Sequence, residues 1–100
     1  MEVDKKKAKH YYELLAMNGD MNARHNLGCM EGQAGNEHRA YKHYIIAAKS
    51  GYKISLDQVK EGFMDGIVSK GEYANALRAY QSRQDLIKSV MRDRARAARE

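Results

Sequence analysis

The chain has 100 residues, which is enough for one domain at most, and its 43% hydrophobic and 31% charged residues are typical of a soluble globular protein. It contains no apolar run of about 18 residues, so no segment is predicted to span a membrane. The net charge of +5 is unevenly placed: residues 1–77 hold 11 Lys/Arg against 10 Asp/Glu, and residues 78–100 hold 7 against 3.

The N-terminal residues lack the apolar stretch of a secretory signal, and we therefore expect an intracellular, cytoplasmic protein. Cys29 is the only cysteine, so it forms no internal disulfide and supplies no metal-binding pair. We expect it to be a buried, unreactive thiol, because free cysteine behaves as a small apolar residue.

The first two predicted helices lie on either side of Gly19. Asp4 is a suitable N-cap for the first helix, which runs to Asn18. Either Asp20 or Asn22 caps the second helix, which ends near Gly32. Apolar residues recur at spacings of three and four in both segments, as they do along the buried side of a helix. They are Ala8, Tyr11, Tyr12, Leu15 and Ala16 in the first helix and Ala23, Leu27 and Met30 in the second.

Three more helices are predicted in the rest of the chain. The third begins after Asn36 and ends at Gly51, with Ala40, Tyr41, Tyr44, Ala47 and Ala48 inward. The fourth spans about 53–64, with Leu56, Val59 and Phe63 inward. The fifth begins at a capping box formed by Ser69 and Glu72, and its stripe is Tyr73, Leu77, Tyr80, Gln84, Ile87 and Met91. Beyond Met91 no convincing apolar face remains, and we expect fraying there.

The first and third helices are nearly the same sequence, 32 positions apart. The same offset relates Asp4 to Asn36, Ala8 to Ala40, Gly19 to Gly51, Ala23 to Ser55 and Leu27 to Val59. A single helical hairpin cannot bury its own apolar stripe, whereas stacked hairpins bury each other's. The fold class predicted is therefore all-α: about two and a half antiparallel hairpins in an α/α solenoid, closed by a long C-terminal capping helix. Gly28 interrupts a helix, and a close helix crossing is the use we expect for it.

These residues resemble the Sel-one-like repeats, which are relatives of tetratricopeptide repeats. The sequence is most similar to that of such repeats in diatoms and related algae. Ala23, Leu27 and Gly28 match the first half of that unit, and His43 stands where the pattern has Trp. Glu31 replaces a usual Tyr. The second half is matched by Asn36, Arg39, Ala40, Tyr44, Ala47, Ala48 and Gly51.

By this resemblance, residues 1–91 form the repeat domain and residues 92–100 a basic helical or frayed tail. Within the domain, residues 4–19 are the second helix of one repeat, 20–51 a full repeat and 52–91 a degenerate repeat with the capping helix. Because the chain begins at a second-half helix, we expect the C-terminal end of a longer array, or a short gene built from such an end.

The resemblance implies a non-enzymatic scaffold without a cofactor, in which the first helix of each hairpin lines a concave groove for a protein or peptide. The partner-binding candidates are Arg24, His25, Asp57, Gln58, Glu61 and Asp65. The four histidines show no metal-site spacing. His25 and Cys29 are four residues apart on one helix and within reach of each other, but nothing in the sequence supports a nucleophile there.

Two alternatives remain at this stage. Nucleic acid or another anionic surface is the alternative partner, bound through the basic C-terminal helix, although Asp85, Asp93 and Glu100 weaken that interpretation. The other is weak self-association through the outer side of the first helix, at Tyr11–Leu15.

Overall fold

A computed structural model describes residues 5–99, and within this range the protein is all-helical, with five packed α-helices and no strand. None of these helices is sufficiently long and apolar to cross a membrane. The helices are α1 (Lys5–Met17), α2 (Met21–Gln33), α3 (Glu37–Lys49), α4 (Lys53–Met64) and α5 (Lys70–Arg99).

Short polar caps and glycine turns set these bounds. Asp20, not Asn22, is the cap of α2, because its Oδ1 accepts a 3.0 Å hydrogen bond from the Ala23 amide. The capping box at the start of α5 is present in both directions: the Ser69 amide donates to Glu72 Oε1 (3.0 Å) and the Glu72 amide to Ser69 Oγ (3.1 Å). Gly51 has a φ of +102°, which glycine adopts without strain as α3 ends. The proposed cap at Asp4 lies outside the described residues.

The core is centred on α3, which packs against α2, α4 and α5. Its small residues Ala40, Ala47 and Ala48 are at most 2% exposed, so the neighbouring backbones approach closely. The main cluster joins Ala40 and Ala48 to one larger α3 residue and to residues of the flanking segments: Tyr44, Leu56, Val59, Val68 and Ala76. A second cluster, formed by Ala16, Ala23 and Leu27, joins α1 to α2.

Two tyrosine rings of α3 pack directly against glycines, one on α2 and one on α4. A Cβ atom on Gly28 would lie 2.5 Å from Tyr44 Cε1 and 3.0 Å from the Ala40 carbonyl oxygen. On α4, a Cβ on Gly62 would likewise collide with the ring of Tyr41. The close crossing expected at Gly28 is therefore present, and a second one occurs at Gly62.

Four residues assigned to apolar stripes are exposed instead. Tyr11 is 59% exposed, because α1 packs against α2 and its other side is open. Phe63 is 36% exposed, although its ring stacks on that of Tyr73 at 5.2 Å. Ile87 and Met91 are 43% and 65% exposed, because they lie beyond the end of α3. The residues after Met91, where we expect fraying, are part of α5, which continues to Arg99.

The molecule is elongated, with principal extents of 56 × 34 × 19 Å. Its radius of gyration of 16.2 Å exceeds the value of about 13 Å typical of a compact 100-residue domain. The 30-residue helix α5, about 45 Å long at 1.5 Å per residue, accounts for much of this length.

Candidate functional site

Two polar contacts hold α2 beside α4. The Tyr52 hydroxyl, at the start of α4, donates to Asn22 Oδ1 at 3.1 Å. His25 Nδ1 lies 2.7 Å from the hydroxyl of Ser55, which is fully buried. Ser55 corresponds to Ala23 of α2 by the 32-residue offset, and both residues are small and buried. In α4 this small residue is a serine, whose hydroxyl bonds His25.

The imidazole of His25 is packed among aromatic rings. Its centroid lies 4.9 Å from that of Tyr44 and 5.7 Å from that of Tyr52. Burial lowers the pKa of His25, so the ring is neutral at pH 7. His25 is therefore part of the joint between the two helices, and its charge is not available to a partner at neutral pH.

Both α3 tyrosines also make hydrogen bonds to these helices. The Tyr44 hydroxyl donates to Cys29 Sγ at 3.5 Å, and Gln58 Nε2 donates to the Tyr41 hydroxyl at 3.1 Å. Burial, followed by the bond to the Cys29 thiol, raises the pKa of Tyr44 well above its usual range. Cys29 is half-buried rather than buried, and it bonds Tyr44 whereas His25 bonds Ser55.

Beside this joint, the helical period places matching residues of α2 and α4 on one outer surface. We call it the α2–α4 face. Its members correspond in pairs at the 32-residue offset, with α2 named first: Asn22 and Ile54, Asn26 and Gln58, Cys29 and Glu61, Gln33 and Asp65.

The two halves of the α2–α4 face differ in chemistry. The α2 half is uncharged, and Asn26 and Cys29 are half-buried. The α4 half carries the exposed carboxylates of Glu61 and Asp65, together with Ile54, whose side chain is 57% exposed. The face therefore offers amides, two negative charges and one apolar side chain.

The structure brings three of the six predicted partner-binding residues together. Gln58, Glu61 and Asp65 belong to the α2–α4 face. Asp57 corresponds to His25 by the 32-residue offset, but its carboxylate is exposed and pairs with Lys53 at 2.7 Å.

Arg24 and His25 lie on different sides of α2. Arg24 points towards α1 and α3, where it lines a shallow depression between these helices. It corresponds to the buried residue Leu56 by the same offset. The partner-binding candidates omit five members of the face, and the 32-residue offset applied to Gln58, Glu61 and Asp65 identifies three of these. The five are Asn22, Asn26, Cys29, Gln33 and Ile54.

A depression of about 310 Å³ on the α1–α3 side is lined by five ionisable side chains: Lys9, Glu13, Arg24, Glu31 and His43. Glu31 is buried there, 3.0 Å from Lys9 Nζ, and accepts a 2.8 Å bond from the Asn36 side chain. The bond from Asn36, followed by that from Lys9, lowers the pKa of Glu31. The predicted cap Asn36 thus bonds Glu31 and gives α3 no side-chain cap.

His43 lines the same depression, at the position where the resemblance has Trp. Its Nδ1 is buried and has no hydrogen-bond partner among the described residues. Burial, and then the charge of Arg24, lowers the pKa of His43, which keeps the ring neutral. The depression therefore contains the ion pair of Glu31 with Lys9 and, beside it, the neutral ring of His43. We interpret these contacts as structural. In the described part of the chain, no three His, Cys, Asp or Glu side chains are grouped to hold a metal ion.

Comparison with known proteins gives no match: no family model, no curated protein and no solved structure is similar to this chain.

Proposed function

We propose that this protein is a non-enzymatic interaction module whose α2–α4 face binds a peptide segment of a partner protein. The observation that carries the proposal is that the exposed side chain of Ile54 lies on the same side of α4 as the carboxylates of Glu61 and Asp65, about two and three helical turns away, on a pair of helices fixed to each other. We further propose that the helices are consecutive Sel-one-like repeats in a solenoid, which would make this face concave.

The support beneath the face is rigid, which favours recognition. Asn22 and His25 of α2 are bonded to Tyr52 and Ser55, and Gln58 is bonded to Tyr41. A surface held in one conformation loses little conformational entropy on binding. The face therefore provides fixed positions for the few side chains that dominate binding energy in most interfaces.

The charges of the face define the partner's chemistry. Glu61 and Asp65 attract Lys or Arg, and Ile54 provides an apolar contact within the same pair of helices. The partner segment is therefore basic and carries an apolar anchor. Because the face is shallow and only two helices wide, we expect a dissociation constant of the order of 10 μM, or about −7 kcal/mol.

A peptide-display selection on the intact protein tests this function. We expect enrichment of peptides that combine Lys or Arg with an apolar residue. Glu61→Lys should weaken binding of a selected peptide at least about tenfold, as should Ile54→Asp. Arg24→Gln is the matched control, since Arg24 lies on the other side of α2, and should leave the affinity unchanged. Selected peptides that bind all three variants as well as the parent protein would show that the α2–α4 face is not the binding site.

A further inference from the structure

The depression between α1, α2 and α3 has charged walls at positions that are apolar in the next pair of helices. Four of its lining residues correspond to residues of α3 and α4 at the 32-residue offset: Lys9 to Tyr41, Glu13 to Ile45, Arg24 to Leu56 and Glu31 to Phe63. Tyr41, Ile45 and Leu56 belong to the main core cluster or pack against it, and Phe63 stacks on Tyr73 of α5. Corresponding positions are therefore filled by apolar packing in α3 and α4 and carry two cations and two anions in α1 and α2.

The depression is open because α1 and α3 are not closely packed on each other. Among the described helices, α3 packs closely against α2, α4 and α5, whereas α1 packs closely against α2 alone. The space between them is about 310 Å³, which is within the range of small-molecule sites. Leu27, which is 2% exposed, and Met17, which is 80% exposed, provide apolar surface in its lining.

The charges in this depression balance, but only two of them are paired within the protein. Glu31 pairs with Lys9 at 3.0 Å. Arg24 of α2 and Glu13 of α1 form no ion pair within the described part of the chain. Because Arg24 is half-buried, its guanidinium has lost some of its water, and an anion beside it would offset that cost. One positive and one negative group therefore remain to receive a molecule that carries both signs.

His43 provides a hydrogen-bonding group near Arg24. Its Nδ1 is enclosed by the protein without a partner among the described residues, so Nε2 is the ring nitrogen that can reach the depression. The ring is neutral, because burial and then the charge of Arg24 lower the pKa of His43. An enclosed N–H without an acceptor is rarer than an enclosed acceptor without a donor, which favours the proton on Nε2. Arg24 and His43 can then donate to the same carboxylate.

We propose that this depression binds a free amino acid with an apolar side chain. The carboxylate of the ligand accepts hydrogen bonds from Arg24 and from His43 Nε2, and its ammonium group pairs with Glu13. The side chain of the ligand contacts Met17 and Leu27. A carboxylate without an amino group would leave Glu13 unpaired beside it, and the uncharged amides within a peptide chain would satisfy neither charge. The site lies on a different side of α2 from the α2–α4 face, and the inference is independent of the proposed function.

An NMR titration of the intact protein at pH 7, with L-leucine as the probe, tests the proposal. Amides near Glu13, Arg24 and His43 should shift saturably, with a dissociation constant of the order of 1 mM. Two analogues keep the apolar chain of leucine and lack one charge each: 4-methylpentanoate has no amino group, and 3-methylbutylamine has no carboxylate. Each should bind at least about tenfold more weakly, because hydrogen bonds to a charged group are lost.

Substitutions in the depression test the same contacts from the side of the protein. Arg24→Gln and Glu13→Gln should each lower the affinity for leucine at least about tenfold. Lys42→Gln is the matched control and should bind leucine as the parent does. Lys42 is an exposed cation of α3 that does not line the depression, and its charge acts on Glu72 of α5. Circular dichroism establishes that each variant is folded.

Absence of saturable shifts up to about 20 mM leucine overturns the proposal. So does equal binding of 4-methylpentanoate, which would show that the ammonium group is not recognised, or undiminished binding of leucine by the Arg24→Gln variant. Shifts confined to the α2–α4 face would place the ligand elsewhere and overturn it too. Leucine binding that persists in the Ile54→Asp variant, with peptide binding lost, would separate this inference from the proposed function.

Discussion

The rings of Tyr41 and Tyr44 set the distance between α3 and its two neighbours. Each ring occupies space that only a glycine on the facing helix leaves open, at Gly62 and Gly28 respectively. A glycine in the middle of a helix costs about 1 kcal/mol relative to alanine. The ring contacts offset this cost, since both tyrosines also bond side chains of the facing helices.

Substituting the glycines of α2 tests this packing. Gly28→Ala should lower the free energy of unfolding by about 1–3 kcal/mol, because the added methyl group overlaps the Tyr44 ring. Gly32 lies one turn further along α2, and a Cβ atom there would be an ordinary 3.8 Å from that of Ala40. Gly32→Ala should therefore raise stability by up to about 1 kcal/mol. Urea unfolding measures both, and equal effects from the two substitutions would contradict the close crossing at Gly28.

Single residues also show which parts of the site could be predicted from the sequence. Glu61 and Asp65 lie on the expected outer surface, because helical period and the 32-residue offset are properties of the sequence. The sequence does not show that Arg24 faces α1 and α3 while its neighbour His25 bonds Ser55. These two residues differ by 100° around the helix, and the positions of the neighbouring helices decide which side is open.

At the level of the helices, bounds were predicted well and burial less well. The start of α2, the end of α3 and the start of α5 follow from Asp20, Gly51 and the Ser69–Glu72 box, which act locally. Burial along α5 depends instead on the length of another element. Because α3 has only 13 residues against 30 in α5, the stripe continues past its partner and becomes exposed at Ile87.

Removing the α5 overhang, which is residues 85–99, tests whether it adds to the stability of the body. A chain that ends at Gln84 should have the same free energy of unfolding in urea as the parent, within about 0.5 kcal/mol, because the deleted side chains from Asp85 to Ala98 are exposed. The far-UV circular dichroism should nevertheless lose the signal of about 15 helical residues. A marked drop in the urea midpoint would indicate that the overhang packs on the body.

In the molecule as a whole, α3 organises a packed body from α2, α4 and the first half of α5. This arrangement leaves two separate exposed regions, the polar α2–α4 face and the apolar side chains of α5 after Gln84. The first depends on the hydrogen-bonded joint at His25 and Tyr52, and the second on α5 being longer than α3.

Amide hydrogen exchange, resolved by residue, measures whether α3 is the best-protected part of the body. Exchange protection rises with burial and packing and is lowest where a helix is solvated on all sides. The amides of α3 should therefore exchange most slowly in the protein, those of α2 and α4 somewhat faster, and those of the α5 overhang fastest among the helices. Amides of α3 that exchange as fast as those of the overhang would contradict the claim, as would an overhang as protected as α3.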